Sequence, residues 1–360
     1  MKKVILISWH LYNSKRKAGF HWLASSFHKM GWEVVFVTTQ LSLFSIVGDP
    51  RFRFSLLKDA NRLIKLGERL KGYILFTLWH PVNPKNKLLN KLISLLYPFY
   101  GKKLPKNLIE QIQEASLIIF ESTSSILFFD ELKKINPSAR FVYRMSDDMR
   151  ILRHHQYVLD AEYEIARKFD LVSIPSHYIF NRFKDLPNVR LHYHGIEKEI
   201  FDKETASPYP KGVNAVFIGN NYFDYSFIEI ASDLFPNVNF HIIGPISNLP
   251  VKKNIIVYGE IPFSETVPFV KHADIGLHTL AEFPYSDSFT DTLKVIQYTY
   301  NRLPIIAPDF LKTEREHMFY YKPNDRLTIK NAVEMALQYE RKKIKIDDIL
   351  TWEEVALKLM

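Results

Sequence analysis

Two adjacent aspartates, Asp147 and Asp148, follow an apolar segment and lie between Arg144 and Arg150. A carboxylate at the end of a strand that faces a cleft can accept a proton from an acceptor hydroxyl. The same residues could instead cap a helix, because Ser146 and Asp147 are both favoured N-cap types and caps are commoner than catalytic bases. This motif therefore leaves two interpretations open, a general base and a helix cap.

A second polar group, Asp287–Thr292, leads into a predicted helix that carries Lys294 and Gln297 on one face. The backbone N–H groups of a helix start, together with a lysine, suit a diphosphate. An ordinary capped helix with a solvated lysine is the alternative. The segment is therefore a candidate phosphate site and no more than that.

Two further candidates follow predicted strands. Glu260 comes after Val257–Gly259 and could accept hydrogen bonds from a ribose or a base, or could be an exposed turn residue. Gly219 begins a turn with Asn220 and Asn221, where backbone could approach a phosphate closely, although a simple turn has the same pattern. Both positions are hypotheses for donor binding.

Several classes of enzyme lose support from the sequence. It contains no G-x-G-x-x-G, G-x-x-x-x-G-K-[ST], G-x-S-x-G or H-E-x-x-H motif and no cysteine. The histidines lack the paired spacing of a metal site, and adjacent aspartates point apart. We therefore expect no catalytic metal and no bound cofactor.

Short β-branched and aromatic runs alternate with helical stretches along the whole chain, which predicts βαβ units and parallel sheets. At 360 residues the chain is long enough for two such domains. We predict an N-terminal Rossmann-like domain over 1–200, a C-terminal one over 201–345, and a final helix over 346–360 that packs back toward the first. Ligands bind outside the carboxyl ends of such strands, so two facing edges would form one cleft.

Charge is distributed unevenly along the chain. Residues 1–150 hold 24 Lys and Arg against 11 Asp and Glu, while the whole chain has a net charge of +9. A basic half can serve an anionic partner such as nucleic acid, anionic lipid or a phosphorylated acceptor, or can simply be a solubilising surface. Because the basic half lacks an aromatic RNA-binding motif, nucleic acid is not expected.

The segment Lys87–Lys103 has a broad apolar stripe flanked by lysines. Such a segment can lie at a membrane interface with its lysines over anionic head groups. A helix that faces the protein core has the same pattern. Apolar stretches of about 20 residues, as a spanning helix needs, are absent, and the short apolar run at the N-terminus predicts a first strand rather than a signal peptide.

These motifs together resemble the GumK-type glucuronosyltransferases of bacterial exopolysaccharide assembly, which have the two-domain GT-B fold. The resemblance extends over almost the whole chain. It runs from Ser8–His10 and Trp79–Pro81 to Leu350–Trp352. Its more specific blocks in this sequence are Ile119–Ser122, Asn136–Asp147, His194–Ile196, Ile255–Glu260, Phe269–Ala273 and Lys294–Tyr298.

The resemblance implies that Asp147 is the general base and that Glu260 binds the nucleoside of a UDP-sugar donor. It also implies a lipid-linked oligosaccharide acceptor at the cytoplasmic face of the membrane, where the enzyme would be peripheral. The remaining donor-binding candidates are Gly219, Asn220, Asn221, Leu293, Lys294 and Gln297. The acceptor-binding candidates are His10, Lys15, Arg16, Lys17, Glu121 and Arg144.

The sequence departs from the family pattern at three places. Asn221 replaces a methionine, Thr279-Leu280 replaces Pro-Tyr, and Asn181 or Arg182 aligns with a carboxylate. The expected reaction is an inverting transfer, most simply of glucuronic acid. The alternatives are a retaining transferase or epimerase with the same fold, and a basic membrane-surface protein without activity.

Overall fold

The computed structural model describes residues 2–14, 17–48, 54–219 and 222–360. Four predicted site residues, Lys15, Arg16, Asn220 and Asn221, lie outside these ranges. The chain divides into two compact units. Unit 1 comprises residues 1–175, 179–192 and 352–360, and unit 2 comprises residues 176–178 and 193–351.

Unit 1 is built on parallel strands connected by helices. Its strands are β1 (Lys3–Ser8), β2 (Glu33–Ser42), β3 (Leu63–Lys65), β4 (Leu70–Thr77), β5 (Leu117–Glu121), β6 (Arg140–Arg144), β7 (Leu171–Ile174) and β8 (Val189–Leu191). Its helices are α1 (Gly19–Lys29), α2 (Leu43–Gly48), α3 (Lys87–Ser94), α4 (Lys106–Gln113), α5 (Phe129–Ile135), α6 (Gln156–Ala166) and most of α7 (His177–Phe183).

The described strands of unit 1 form one sheet in the order β3-β4-β2-β1-β5-β6-β7-β8. All neighbours are parallel except the edge pair β3 and β4. The central strands are buried on both faces, as continuous runs of apolar residues require. The order reverses between β1 and β5, so the carboxyl ends of these two strands form the crevice where such sheets bind ligands.

Unit 2 repeats this architecture with a smaller sheet. Its strands are β9 (Gly195–Ile196), β10 (Val213–Ile218), β11 (Val238–Ile243), β12 (Ile255–Gly259), β13 (Ile275–Leu277), β14 (Ile305–Pro308), β15 (Met318–Tyr321) and β16 (Leu350–Thr351). Its helices are α8 (Lys198–Asp202), α9 (Tyr225–Leu234), α10 (Phe263–His272), α11 (Leu293–Tyr300) and α12 (Arg326–Gln338).

In unit 2 the described strands of the main sheet have the order β12-β11-β10-β13-β14-β15 and all pair in parallel. This is the 3-2-1-4-5-6 order of the Rossmann fold. Its reversal lies between β10 and β13. Separate apolar clusters fill the two faces of the sheet, one against α10 and α11 and the other against α9 and α12.

The last helix, α13 (Trp352–Leu359), belongs to unit 1 and packs against α1. The ring of Trp352 is buried and lies beside Gly19, where an added Cβ would approach it to 3.0 Å. Lys29 and Glu353 form an ion pair of 3.2 Å across the same contact. The main division between the units falls between His192 and Tyr193, whereas the sequence predicts it at residue 200.

Helix α3 buries none of its described side chains. Leu88 is 70%, Leu92 57%, Leu95 68% and Phe99 59% exposed, whereas Tyr97 and Tyr100 are buried. The alternative that Lys87–Lys103 is a core-facing helix is therefore wrong for its leucine face. Within the described ranges, no helix has the length and hydropathy to cross a membrane.

Candidate functional site

Asp147 lies just beyond the carboxyl end of β6, in a loop that contains no helix. The next helix, α6, begins at Gln156 and is capped by His155. The cap interpretation of Ser146 and Asp147 therefore has no helix to support it. Instead, the backbone N–H groups of both residues donate to the Ser122 hydroxyl, at 3.0 and 3.2 Å.

The two adjacent aspartates have different surroundings. Asp148 is fully buried and is paired with Arg150 at 2.6 Å and with Arg182 at 3.1 Å. Its side chain also accepts from the backbone N–H of Arg150. The Asp147 carboxylate has no hydrogen bond or ion pair within the described part of the chain. Asp148 is thus committed to structure, and Asp147 remains available to a substrate.

Burial, together with the negative charges of Glu121 and Asp148, raises the pKa of Asp147 from 3.8 to about 6. A carboxylate with this pKa is mostly ionised at neutral pH. It is also a stronger base than an ordinary aspartate, as a proton acceptor in catalysis requires.

Glu121, predicted to contact the acceptor, ends β5 and is buried beside Asp147. Its two oxygens accept hydrogen bonds from the hydroxyls of Ser8 (2.5 Å) and Ser146 (3.0 Å). His10, the second predicted acceptor residue here, lies with Nε2 3.6 Å from Glu121. The structure therefore brings His10, Glu121 and Asp147 together at the crevice of unit 1.

Arg144, the third predicted acceptor residue, is placed differently. Its side chain is fully buried and its guanidinium donates to the Ser173 hydroxyl at 2.9 Å and to the His192 carbonyl at 2.6 Å. Burial lowers the pKa of Arg144 to about 9. The prediction of an accessible acceptor contact is corrected here, because this side chain is directed along the sheet toward β7 and the end of unit 1.

Of the three basic residues predicted to meet acceptor phosphates, only Lys17 is described, and it is exposed. Lys15 and Arg16 lie outside the described residues. Lys17 comes shortly before α1, on the connection that leaves β1. Its position at the carboxyl side of the sheet is compatible with the predicted role.

In unit 2, Gly219 follows β10 at the point where the strand order reverses. An added Cβ would lie 2.9 Å from the Phe217 ring and 3.3 Å from Nζ of Lys294. At Gly244, whose φ is +137°, an added Cβ would lie 1.7 Å from the Gly219 carbonyl oxygen. The two glycines therefore keep the end of the sheet open beside the lysine.

Lys294 projects from the first turn of α11 over the Phe217 ring, with Nζ 4.0 Å from the ring centroid. No anionic partner of Lys294 occurs in the described ranges. Burial lowers its pKa from 10.5 to about 7. A desolvated ammonium group without a counter-ion is a strong attractor for a ligand anion, because little water screens it.

The neighbouring donor candidates lie on the same helix as Lys294. Gln297 lies one turn further along α11, half-buried, and its side-chain amide makes no hydrogen bond in the described part of the molecule. Leu293 is the first residue of the helix and packs partly against the core. Thr292 caps the helix through its hydroxyl. Lys294, Gln297 and the helix start are thus brought together.

Glu260 is exposed directly after β12, which ends in Gly259 with φ +70°. Gly259 accepts a hydrogen bond from the Gly244 N–H at 2.7 Å. The ends of β10, β11 and β12 are thereby linked, and Glu260 is carried at the same edge of the sheet as Gly219. The role of Glu260 in binding the donor stays a prediction.

Sequence reasoning missed His278 and Thr279, which follow β13 opposite Gly219. Nε2 of His278 donates to the Phe289 carbonyl at 2.8 Å, while its buried Nδ1 and the buried Thr279 hydroxyl have no hydrogen-bond partner among the described residues. Burial and the Lys294 charge lower the pKa of His278 to about 3, so it is neutral. The sequence does carry a signal for these two residues, because His278 and Thr279 form a polar pair directly after an apolar strand. In the described residues, no group of three or more His, Asp or Glu side chains is placed to hold a metal ion.

Known proteins resemble this chain in sequence and in fold. Residues 6–175 match the family described as glucuronosyltransferase GumK, N-terminal domain. The chain is 27% identical to the UDP-glucuronate:glycolipid 2-beta-glucuronosyltransferase of Xanthomonas campestris pv. campestris over 353 residues. The alignment covers 97% of this chain and 87% of that protein.

Solved structures share the fold at low sequence identity. Sucrose-phosphate synthase from Thermosynechococcus elongatus superposes with a TM-score of 0.65 at 14% identity, covering 100% of this chain and 97% of that one. A glycosyltransferase from Rickettsia africae superposes with a TM-score of 0.56 at 15% identity, covering 99% and 93%.

The two Rossmann-type sheets, the two crevices and these relationships define a glycosyltransferase of the GT-B class. Its residues 6–175 match the family of GumK glucuronosyltransferases over that family's N-terminal domain. The resemblance found in the sequence and the predicted fold class are thereby confirmed.

Proposed function

We propose that this glycosyltransferase moves a sugar, most simply glucuronic acid, from a UDP-sugar to a lipid-linked oligosaccharide in exopolysaccharide or capsule assembly. The named activity of the Xanthomonas relative, a UDP-glucuronate:glycolipid glucuronosyltransferase, supports the donor and the acceptor class. The two crevices support the division of labour, with the donor in unit 2 and the acceptor in unit 1.

The observation that carries the proposal is a pair of uncompensated charges. Asp147 has no cationic partner and Lys294 no anionic partner in the described ranges, although both are desolvated. Burying a charge without a partner is costly, so such groups are retained where a ligand supplies the partner. An acceptor hydroxyl would donate a hydrogen bond to the Asp147 carboxylate, and a diphosphate would be the anionic partner of the Lys294 ammonium group.

The proposed reaction is a single inverting displacement. Asp147 accepts the proton of the acceptor hydroxyl as its oxygen bonds to the anomeric carbon. The bond from that carbon to the β-phosphate oxygen breaks, and UDP leaves with the electron pair. Lys294 and the N–H groups at the start of α11 stabilise the charge that develops on UDP. A general base contributes about 10²- to 10⁴-fold, so positioning must supply much of the remaining acceleration.

A donor screen tests this proposal. The protein is incubated with UDP-glucuronate, UDP-glucose or UDP-galactose and a glycolipid extract, and products are detected by mass. NMR of the product gives the anomeric configuration. Retention of configuration would replace the inverting mechanism with a retaining one. Absence of transfer with every donor, combined with no thermal stabilisation by UDP, would contradict the proposed function. A ligand at 100 times its Kd should stabilise by about 2.7 kcal/mol.

The proposed reaction uses no metal, because Lys294 and the helix start supply the positive charge that a metal ion would otherwise provide at the diphosphate. We expect transfer to be unchanged by a chelator and by added Mg²⁺. Loss of activity with EDTA and its recovery with a divalent cation would contradict this part.

The proposal includes an anionic membrane surface as a partner of unit 1. Leu88 and Leu92 on α3 and Leu95 directly after it are exposed. Lysines before, within and after the segment, Lys87, Lys91, Lys102 and Lys103, match anionic head groups in charge. If the acceptor is lipid-linked, these leucines and lysines would bind the enzyme to the membrane surface that contains its substrate.

We expect the protein to bind vesicles containing anionic phospholipid at low salt and to be released as salt rises, because screening shortens the reach of surface charge to about 8 Å at physiological ionic strength. Neutralising Lys87, Lys91, Lys102 and Lys103 together should weaken binding by up to about 10³-fold, at about 1 kcal/mol per lysine. Sedimentation with vesicles measures this.

The double change Leu92→Ser and Leu95→Ser should also weaken vesicle binding without loss of stability, because both side chains are exposed. Leu327→Ser is the matched control, since Leu327 is 66% exposed on unit 2. Equal binding by all these variants, or equal binding to purely zwitterionic vesicles, would contradict a membrane role for α3.

A further inference from the structure

We propose that Glu121 is a positioning residue which holds Asp147 in place through Ser146 and adds a second negative charge beside it. This inference rests on the proposed role of Asp147 as the base. It assigns Glu121 a function other than the acceptor contact that the sequence predicts.

The geometry of three strand ends supports this role. Ser8 ends β1, Glu121 ends β5 and Ser146 follows β6, and both serine hydroxyls donate to the Glu121 carboxylate. Next to Glu121, the Ser122 hydroxyl accepts the backbone N–H groups of Ser146 and Asp147. The end of β5 therefore fixes the loop that carries the base.

Burial makes a direct contact between Glu121 and an acceptor unsuitable. The residue is 2% exposed, and both of its oxygens already accept hydrogen bonds from the protein. Asp147, in contrast, is partly exposed and has no partner among the described residues. The substrate would therefore meet Asp147, with Glu121 behind it.

Negative charge is in excess around Glu121 and Asp147. Nε2 of His10 lies 3.6 Å from Glu121, and Asp148, the neighbour of Asp147 in the chain, is paired with Arg150 and Arg182. Burial raises the pKa of Glu121 to about 7, although hydrogen bonds from Ser8, Ser146 and the Trp9 backbone oppose this. The negative charge of Glu121 in turn raises the pKa of Asp147. Two carboxyl groups in this arrangement titrate as a pair.

Glu121→Gln removes the charge and keeps the shape. We expect the acid limb of the kcat/KM profile to move to lower pH by up to about half a unit, because Glu121, with a pKa of about 7, carries only part of its charge at the pH where Asp147 titrates. Above neutral pH the rate should fall about 3- to 10-fold, since Asp147 becomes a weaker base. Glu162→Gln is the matched control, because Glu162 is equally buried with a raised pKa of about 7 but does not act on Asp147.

A double-mutant cycle of Glu121→Gln and Asp147→Asn tests the coupling without any activity. At pH 8.5 both carboxylates are charged in the parent, so each single change relieves the same repulsion. The effects on the unfolding midpoint should then be non-additive by about 2 °C or more. At pH 4.5, where both groups are protonated, the effects should add.

The two experiments separate the possible failures. If no sugar donor supports transfer by the parent protein, the proposed function fails, while the cycle still measures the coupling. If transfer occurs but the acid limb stays in place in Glu121→Gln, or the non-additivity is the same at both pH values, Glu121 acts through packing alone and the inference is overturned.

Discussion

Replacing Asp147 by asparagine should lower turnover by about 10²-fold or more while leaving UDP binding unchanged. The amide keeps the shape of the side chain but cannot accept the acceptor proton. Burial raises the folded-state pKa of Asp147 from 3.8 to about 6, so its favourable contribution to stability is present below pH 3.8 and is lost as pH rises through 6. At pH 8 the asparagine variant should therefore be at least as stable as the parent, which thermal unfolding measures.

Asp148→Asn should have the opposite effects, a loss of stability with little change in turnover. It removes a buried charge from Arg150 and Arg182 and should cost about 1 to 3 kcal/mol of stability. The molecules that remain folded should transfer sugar at a rate near that of the parent. If Asp148→Asn is stable and inactive while Asp147→Asn is active, the base is Asp148. If both variants are active, the single-base mechanism is wrong.

Replacing Lys294 by alanine should weaken binding of UDP about 10- to 150-fold, the value of one charge-assisted hydrogen bond of about 1.5 to 3 kcal/mol. Turnover should fall as well, because the leaving diphosphate loses its positioned cation. Isothermal titration with UDP and steady-state kinetics measure the two effects. The unliganded variant should be as stable as the parent, since a desolvated ammonium group without a counter-ion is removed.

The pH dependence of UDP binding provides an independent check. Burial lowers the pKa of Lys294 to about 7, so its charge is progressively lost above neutral pH. Affinity of the parent for UDP should fall between pH 7 and 9. In Lys294→Ala this dependence should disappear, and in Lys294→Arg affinity should persist at high pH because arginine stays charged. Identical pH profiles for all three proteins would remove Lys294 from the donor site.

Much of the fold could be predicted from local pattern. Strands Leu117–Glu121, Arg140–Arg144 and Leu171–Ile174 have the bounds that their apolar runs predict. The sequence does not predict β3, β9, β15 or β16, all of which are short, and β3 is an antiparallel edge of three residues. A strand of that length has no period of its own, and its pairing depends on β4, which the local sequence does not encode.

The site was predictable as a set of positions but not as a set of interactions. A strand end indicated Asp147, because a parallel sheet presents its carboxyl ends to ligands, and a helix start indicated Lys294 and Gln297. That Asp148 is neutralised by Arg182, or that Arg144 reaches the carbonyl of His192, depends on contacts between distant segments. Amphipathicity likewise could not decide whether α3 faces the core, since a core and a bilayer select the same stripe.

The packing of α13 on α1 affects how the chain can fold during synthesis. Unit 1 takes its helix α1 from the start of the chain and Trp352–Leu359 from its far end, with all of unit 2 translated in between. A ribosome-bound chain that has released residues 1–192 thus lacks the helix that covers one side of α1, and its apolar surface stays open until α13 emerges. Co-translational folding of unit 1 should therefore pause at an intermediate in which the apolar surface of α1 is only partly covered. If the chain is cut between the units, unit 1 should fold completely only when both fragments are present.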